Sequence, residues 1–107
     1  MKHTIEYTDL AKSDLIMLDG SQRKVVRKLI ERVSQNPLPK NEGGYGEPLG
    51  HKRGLNLTGL CKIKMRKLGI RVVYKVVKTE TVMKIIVIAA RADDEVYDIA
   101  AERNEQK

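Results

Sequence analysis

Between Glu47 and Glu80 the sequence places nine Lys or Arg residues and not one acid. The densest part is Lys62-Ile63-Lys64-Met65-Arg66, where cations alternate with Cys61, Ile63 and Met65. Successive side chains of a strand point to opposite faces, so this alternation predicts Lys62, Lys64 and Arg66 on one face. Lys67-Leu68-Gly69 reads as a tight turn, and the β-branched run Ile70 to Lys78 returns antiparallel. With Lys67 and Leu68 as the two loop residues, Lys64 stands opposite Arg71. Like charges paired across strands are destabilising, so such a cluster is expected where an anion fills it. Arg offers bidentate hydrogen bonds to phosphate and Lys a compact point charge, which makes nucleic acid the expected partner. Lys52 and Arg53, in the basic loop run His51-Lys52-Arg53, are further candidates for touching phosphate.

Other chemistries fit the sequence less well. Cys61 has the inward parity of its strand and reads as a buried structural thiol rather than a nucleophile. His3 and His51 join no ligand-spaced cluster, so neither a metal nor another cofactor is expected. Gly43-Gly44-Tyr45-Gly46 lacks the Lys-Ser/Thr of a phosphate-binding loop and reads as flexible chain. Asp93, Asp94 and Glu95 open a helical stretch, where the helix dipole accounts for acids.

The bulk composition agrees with a polyanionic partner. Twenty-one Lys and Arg against fourteen Asp and Glu leave a net charge of +7, which favours nucleic acid, an anionic membrane or an acidic protein. At 107 residues and 41% hydrophobic content the chain is expected to form one domain, residues 1–107, with a modest core. That core must be aliphatic, since Trp and Phe are absent. One cysteine suits a reducing compartment, and neither a signal peptide nor a membrane-spanning run is expected from the apolar pattern. A soluble cytoplasmic protein is the expectation.

The cationic hairpin needs a scaffold. Ile5-Glu6-Tyr7 reads as a short strand, and Thr8 or Asp9 can cap a helix carrying Leu10, Ala11, Leu15 and Leu18. Asp19-Gly20 ends it. A second helix starts at Ser21, with Val25, Val26, Leu29, Ile30 and Val33 on one side and Arg23, Lys24, Arg27, Lys28 and Arg32 on the other. It stops at Asn36-Pro37. Its apolar side is needed to cover a sheet, which argues against a membrane-surface helix. From Pro37 to Gly54 the Pro, Gly and Asn content predicts irregular structure. Three strands follow, the last Val82 to Ala90, and then a helix over Asp93 to Glu105. The expected fold is α+β, in the order β-α-α-β-β-β-α. An N-terminal strand and helical hairpin pack on a twisted, mainly antiparallel four-stranded sheet, with a short C-terminal helix.

Lys, Arg and Tyr can cleave RNA without a metal. The ribose 2′-OH supplies the nucleophile, and the protein orients it, accepts its proton, neutralises the phosphate and protonates the leaving 5′-oxygen. Clustered cations are expected to lower the pKa of a nearby Lys towards that of a base.

Lys62-Ile63-Lys64-Met65-Arg66, Gly69-Ile70-Arg71-Val72-Val73-Tyr74, and Arg91 with Glu95-Val96-Tyr97 resemble the RelE family of bacterial toxins, the mRNA-cleaving branch of the RelE/ParE superfamily. The similarity runs along essentially the whole chain. It implies the toxin of a type II toxin–antitoxin pair, an endoribonuclease that enters the ribosomal A site, cuts mRNA there and leaves a 2′,3′-cyclic phosphate. Carried over by position, Lys62 matches the family's proposed general base, and Lys64 and Arg71 match residues that hold and neutralise the scissile phosphate. Arg91 matches the proposed general acid and Tyr97 the tyrosine that orients or stacks on substrate; Arg66 matches a further basic residue of the strand. Tyr97 is equally open to being a helix residue packed on the sheet. Cys61 departs from the family, many of whose members carry an aromatic residue there, and the Pro37 to Gly54 loop is longer than in some relatives. The resemblance also implies a cognate antitoxin that wraps the domain. Two rivals stay open: a ParE-like inhibitor of DNA gyrase without nuclease activity, and a non-catalytic nucleic-acid-binding module.

Overall fold

The computed structural model describes residues 2–52 and 54–105. Its sheet is built from β1 (Thr4–Tyr7), β2 (Glu47–Lys52), β3 (Leu55–Met65), β4 (Ile70–Val77) and β5 (Val82–Ala89). The helices are α1 (Asp9–Met17), α2 (Gly20–Val33) and α3 (Asp93–Glu105). Strand order is β1-β5-β4-β3-β2, with β1 parallel to β5 and every other pairing antiparallel. The α+β architecture and the order of elements are as expected, with one strand added.

The added strand, β2, lies in the stretch expected to be irregular. Pro48 and Gly50 made it look like loop, but β2 is the edge of the sheet, where a proline's missing N–H is tolerated. Leu49 turns inward and is buried. The beginning of that stretch, residues 37–46, is packed against the sheet as well. Pro39 bridges Gly46, and the buried Tyr74 hydroxyl donates to the Pro37 carbonyl at 2.8 Å. Gly46 sits so close that a Cβ there would meet the Tyr74 hydroxyl at 2.2 Å and Cys61 Sγ at 3.1 Å. The expectation of flexible chain at Gly43 to Gly46 is corrected by this packing. No side chain larger than hydrogen fits at Gly46.

The helical hairpin follows from its caps and spacing. Thr8 Oγ1 accepts from the Ala11 amide and donates to the Ile85 carbonyl, tying the start of α1 to β5. Asp19, expected only to end α1, forms a reciprocal capping box with Gln22, so α2 begins one residue earlier than expected. Ala11, Leu15, Val26, Ile30 and Val33 bury one face of the hairpin against Cys61, Ile70, Val72, Tyr74, Met83 and Ile85.

The opposite face of the sheet is covered by α3. Val96, Tyr97 and Ala100 pack on Leu57, Leu60, Val73, Ile86 and Val87. A register shift between β4 and β5 at Val73/Tyr74 puts two consecutive β5 residues, Ile86 and Val87, on this side. The far end of α3 is clamped by Arg103. Its guanidinium pairs with Asp14 of α1 at 2.7 Å and donates to the Ile86 carbonyl at 2.8 Å. Among the described residues no helix is long and apolar enough to cross a membrane.

Candidate RNA-binding site

Strand parity and turn length build the site. Cys61, Ile63 and Met65 face the helical hairpin, which sends Lys62 and Lys64 to the side covered by α3. β3 and β4 are joined by a four-residue turn, 66–69, with Met65 opposite Ile70, and in this register Lys64 stands opposite Arg71 as expected. Three cations thereby meet at the rim of α3.

Their meeting point is a carboxylate. Asp93, the first residue of α3, accepts a hydrogen bond from Arg71 Nε, and its Oδ2 lies 3.8 Å from both Lys62 Nζ and Lys64 Nζ. The helix dipole, invoked for this acid from sequence, is not its main partner. Arg71 is fixed further by donating through Nη1 to the carbonyls of Arg91 and Gly69. The Asp93 carboxyl is held below the usual carboxylate range. Desolvation opposes this, but the Arg71 hydrogen bond and the charges of Lys62, Arg71 and Lys64 together outweigh it.

Lys62 is the most enclosed of the three cations, its side chain only 10% exposed. Its ammonium donates to the Tyr97 hydroxyl at 2.7 Å and lies 5.3 Å from that ring's centre. Partial burial pulls the Lys62 pKa down, but Tyr97, through its hydrogen bond and charge, and the acids Glu47 and Asp93 push it up, and the net shift is upward. The expectation that clustered cations lower the pKa of a lysine here is therefore corrected for this state. Glu47 is directly opposite Lys62 across β2 and β3, and Asp93 arrives from α3. The stretch that carries no acid in sequence is surrounded by acids in space.

The remaining candidates are spread more widely. Tyr97 is buried in the apolar layer beneath α3 while its hydroxyl reaches Lys62, so packing and a polar contact coexist in one side chain. Arg91 meets the cluster through its backbone carbonyl only. Its guanidinium is solvent-exposed and pairs with Glu95, one turn on, at 3.0 Å. Arg66 is exposed in the turn just beyond Lys64. Lys52 pairs with Leu55 at the other end of β3, roughly 20 Å along the strand from Lys62 at the usual rise per residue, and is not part of the cluster. Arg53 lies outside the described residues. Asp93 is the site residue that the sequence reading passed over, and its only local signal is an acid two positions after Arg91. Cys61 is buried beside Tyr74, and burial pushes its thiol up to about 11, in keeping with an inert structural role.

A mainly antiparallel sheet with a helical hairpin on one face and a cation cluster under a terminal helix on the other defines the class. No family model matches the chain. It is 24% identical over 106 residues to an Escherichia coli RelE-like toxin protein, covering 96% of this chain and 98% of that one. Its fold superposes on an arginine-to-alanine double mutant of Escherichia coli toxin RelE in the free state. That match has a TM-score of 0.75 and 25% identity, over 96% of this chain and 98% of that one. The toxin–antitoxin complex RelBE2 of Mycobacterium tuberculosis matches with a TM-score of 0.69 and 23% identity, over 87% and 95% of the two chains. In sequence and in fold the chain is RelE-like.

Proposed function

We propose that this chain is the toxin of a type II toxin–antitoxin pair, a single-domain cytoplasmic endoribonuclease that cuts mRNA on the ribosome without a metal. The observation that carries the reading is the convergence of Lys62, Lys64 and Arg71 on one anionic group, Asp93. A set of cations that can share a carboxylate can share a phosphate, whose charge and acceptor geometry are similar. The RelE-like sequence and fold favour RNA over other polyanions.

In this reading Lys64 and Arg71 hold the scissile phosphate and neutralise the charge that builds on it. The 2′-oxygen forms a bond to phosphorus, the bond to the 5′-oxygen breaks, and the products are a 2′,3′-cyclic phosphate and a 5′-hydroxyl. Lys62 takes the 2′-OH proton. At rest its ammonium is held by Tyr97 and Asp93, so it becomes a base only when substrate parts it from Asp93 and the phosphate charge is taken up by Lys64 and Arg71. Arg91 supplies the proton to the leaving oxygen once its guanidinium leaves Glu95, and Tyr97 orients the substrate. Arg66 extends the contact to a neighbouring phosphate. Lys52 and Arg53 touch RNA away from the cut.

The partner is a cognate antitoxin. The RelE neighbours include structures with the antitoxin RelB, and a surface of net charge +7 suits an acidic or amphipathic wrapping chain. A translation extract with one defined mRNA tests the reading. Cuts positioned by codon, absent without ribosomes and blocked by the antitoxin, are expected. DNA breaks that depend on gyrase would move the assignment to a ParE-like inhibitor, and neither outcome would leave a binding module.

A further inference from the structure

The cation cluster is already occupied by part of the chain itself. Asp93 lies where the charges of Lys62, Lys64 and Arg71 converge, and no other acid among the described residues makes an ion pair with any of these three. Its side chain is still one-third exposed, so the seat opens to solvent and is not sealed inside the core. The segment carrying it is short: Asp93 is the first residue of α3, and Ala90, Arg91 and Ala92 just before it are exposed. The grip of α3 on the sheet comes from further along, at Val96, Tyr97, Ala100 and Arg103. Asp93 can therefore leave the cations by a rotamer change or fraying of the first turn, with the rest of α3 still docked.

We propose that Asp93 is an affinity- and specificity-determining residue of this site, a tethered anion that holds the phosphate seat until a polynucleotide displaces it. The proposal rests on the reading of the cluster as an RNA phosphate seat. An isolated phosphate must compete with a carboxylate at high effective concentration and gains no further contacts, so it is refused. An RNA strand brings adjacent phosphates that engage the exposed Arg66 and Lys67 of the turn, and their added attraction displaces Asp93. The same displacement exchanges the Asp93 carboxylate beside Lys62 for an RNA phosphate. The acid thus guards the site against small anions and yields it to a polynucleotide.

The test is the binding of a fluorescent 2′-O-methyl RNA oligonucleotide, which cannot be cleaved, to the full chain and to Asp93→Asn, Asp93→Ser and Lys64→Ala. Two uncharged replacements guard against a folding defect peculiar to either, and thermal melting verifies each. Removing the competitor is expected to tighten binding roughly tenfold, the worth of one charge-assisted hydrogen bond no longer contested. The plot of log K against log salt is expected to steepen by about 0.7, because RNA no longer displaces a carboxylate that takes up a solvent cation as it leaves. Inorganic phosphate should bind saturably to Asp93→Asn and not to the native chain. If Lys64→Ala weakens RNA binding while both Asp93 variants bind as the native chain or more weakly, Asp93 is an organiser of the cations and the proposal is overturned. If neither Lys64→Ala nor the Asp93 variants change RNA binding, the RNA seat itself is wrong and the proposal fails with it.

Discussion

The two faces of the sheet are held by different physics. Under the helical hairpin, Ala11, Leu15, Val26 and Ile30 meet β-branched residues of the central strands in a continuous layer that is aliphatic except for Cys61 and the buried ring of Tyr74. Under α3 the apolar layer is smaller, and both ends of the helix are tied by charge: Asp93 to Lys62, Lys64 and Arg71, and Arg103 to Asp14. Apolar burial is non-directional and worth about 25 cal/mol per Å². Partly exposed ion pairs contribute little stability, with a median of about 0–1 kcal/mol. The hairpin face therefore sets whether the domain folds, and the α3 face keeps charges that other anions can claim. A site for a polyanion belongs on the second.

This contrast can be broken most sharply at Lys62. Lys62→Arg keeps the charge but removes a group able to give up its proton near neutral pH. Single-turnover cleavage is expected to fall by about 10²–10⁴-fold if Lys62 is the base. A loss of less than about tenfold would leave it a purely electrostatic role. Lys64→Ala or Arg71→Ala should each lower cleavage by about 10²–10³-fold, as for loss of one group that stabilises transition-state charge, with little change in melting temperature. Near-native cutting by both single variants would remove the phosphate clamp from the mechanism.

On the other face the pattern should invert. Ile30→Ala leaves a cavity in the fully buried layer and is expected to cost about 2–5 kcal/mol in denaturant unfolding, while activity per folded molecule is unchanged. A loss of activity without loss of stability would show that the two faces are coupled.

The smallest expected effect concerns pH. The folded-state pKa of Asp93 lies below its unfolded value, so its stabilising contribution is present above the unfolded carboxylate pKa and fades as pH falls through the folded one. The difference in melting temperature between the native chain and Asp93→Asn should shrink on acidification below the ordinary carboxylate range. A difference that stays constant to low pH would mean that ionised Asp93 does not stabilise the α3 contact.

What the sequence determined is what backbone geometry repeats locally. Side chains alternate on a strand, so Lys62 and Lys64 had to share a face. The short turn fixed Lys64 opposite Arg71, and the 3.6-residue period marked Val26 and Ile30 as buried. The Pro37 to Gly54 stretch misled because Pro48 and Gly50 have the composition of a loop, while their place at a sheet edge depends on β3 being there to pair with.

Tertiary structure decided which helix covers the cations and which acids come with it. Asp93 meets Arg71 from 22 residues away, and Tyr97 meets Lys62 from 35. No local period specifies contacts at that range. They follow from the register shift that presents Ile86 and Val87 to α3, and from Arg103 clamping its far end to Asp14. The same docking leaves the Arg91 guanidinium with Glu95. Sequence alone therefore marked a cationic face and the need for an anion, and only the packing of α3 decided that the anion at rest is Asp93.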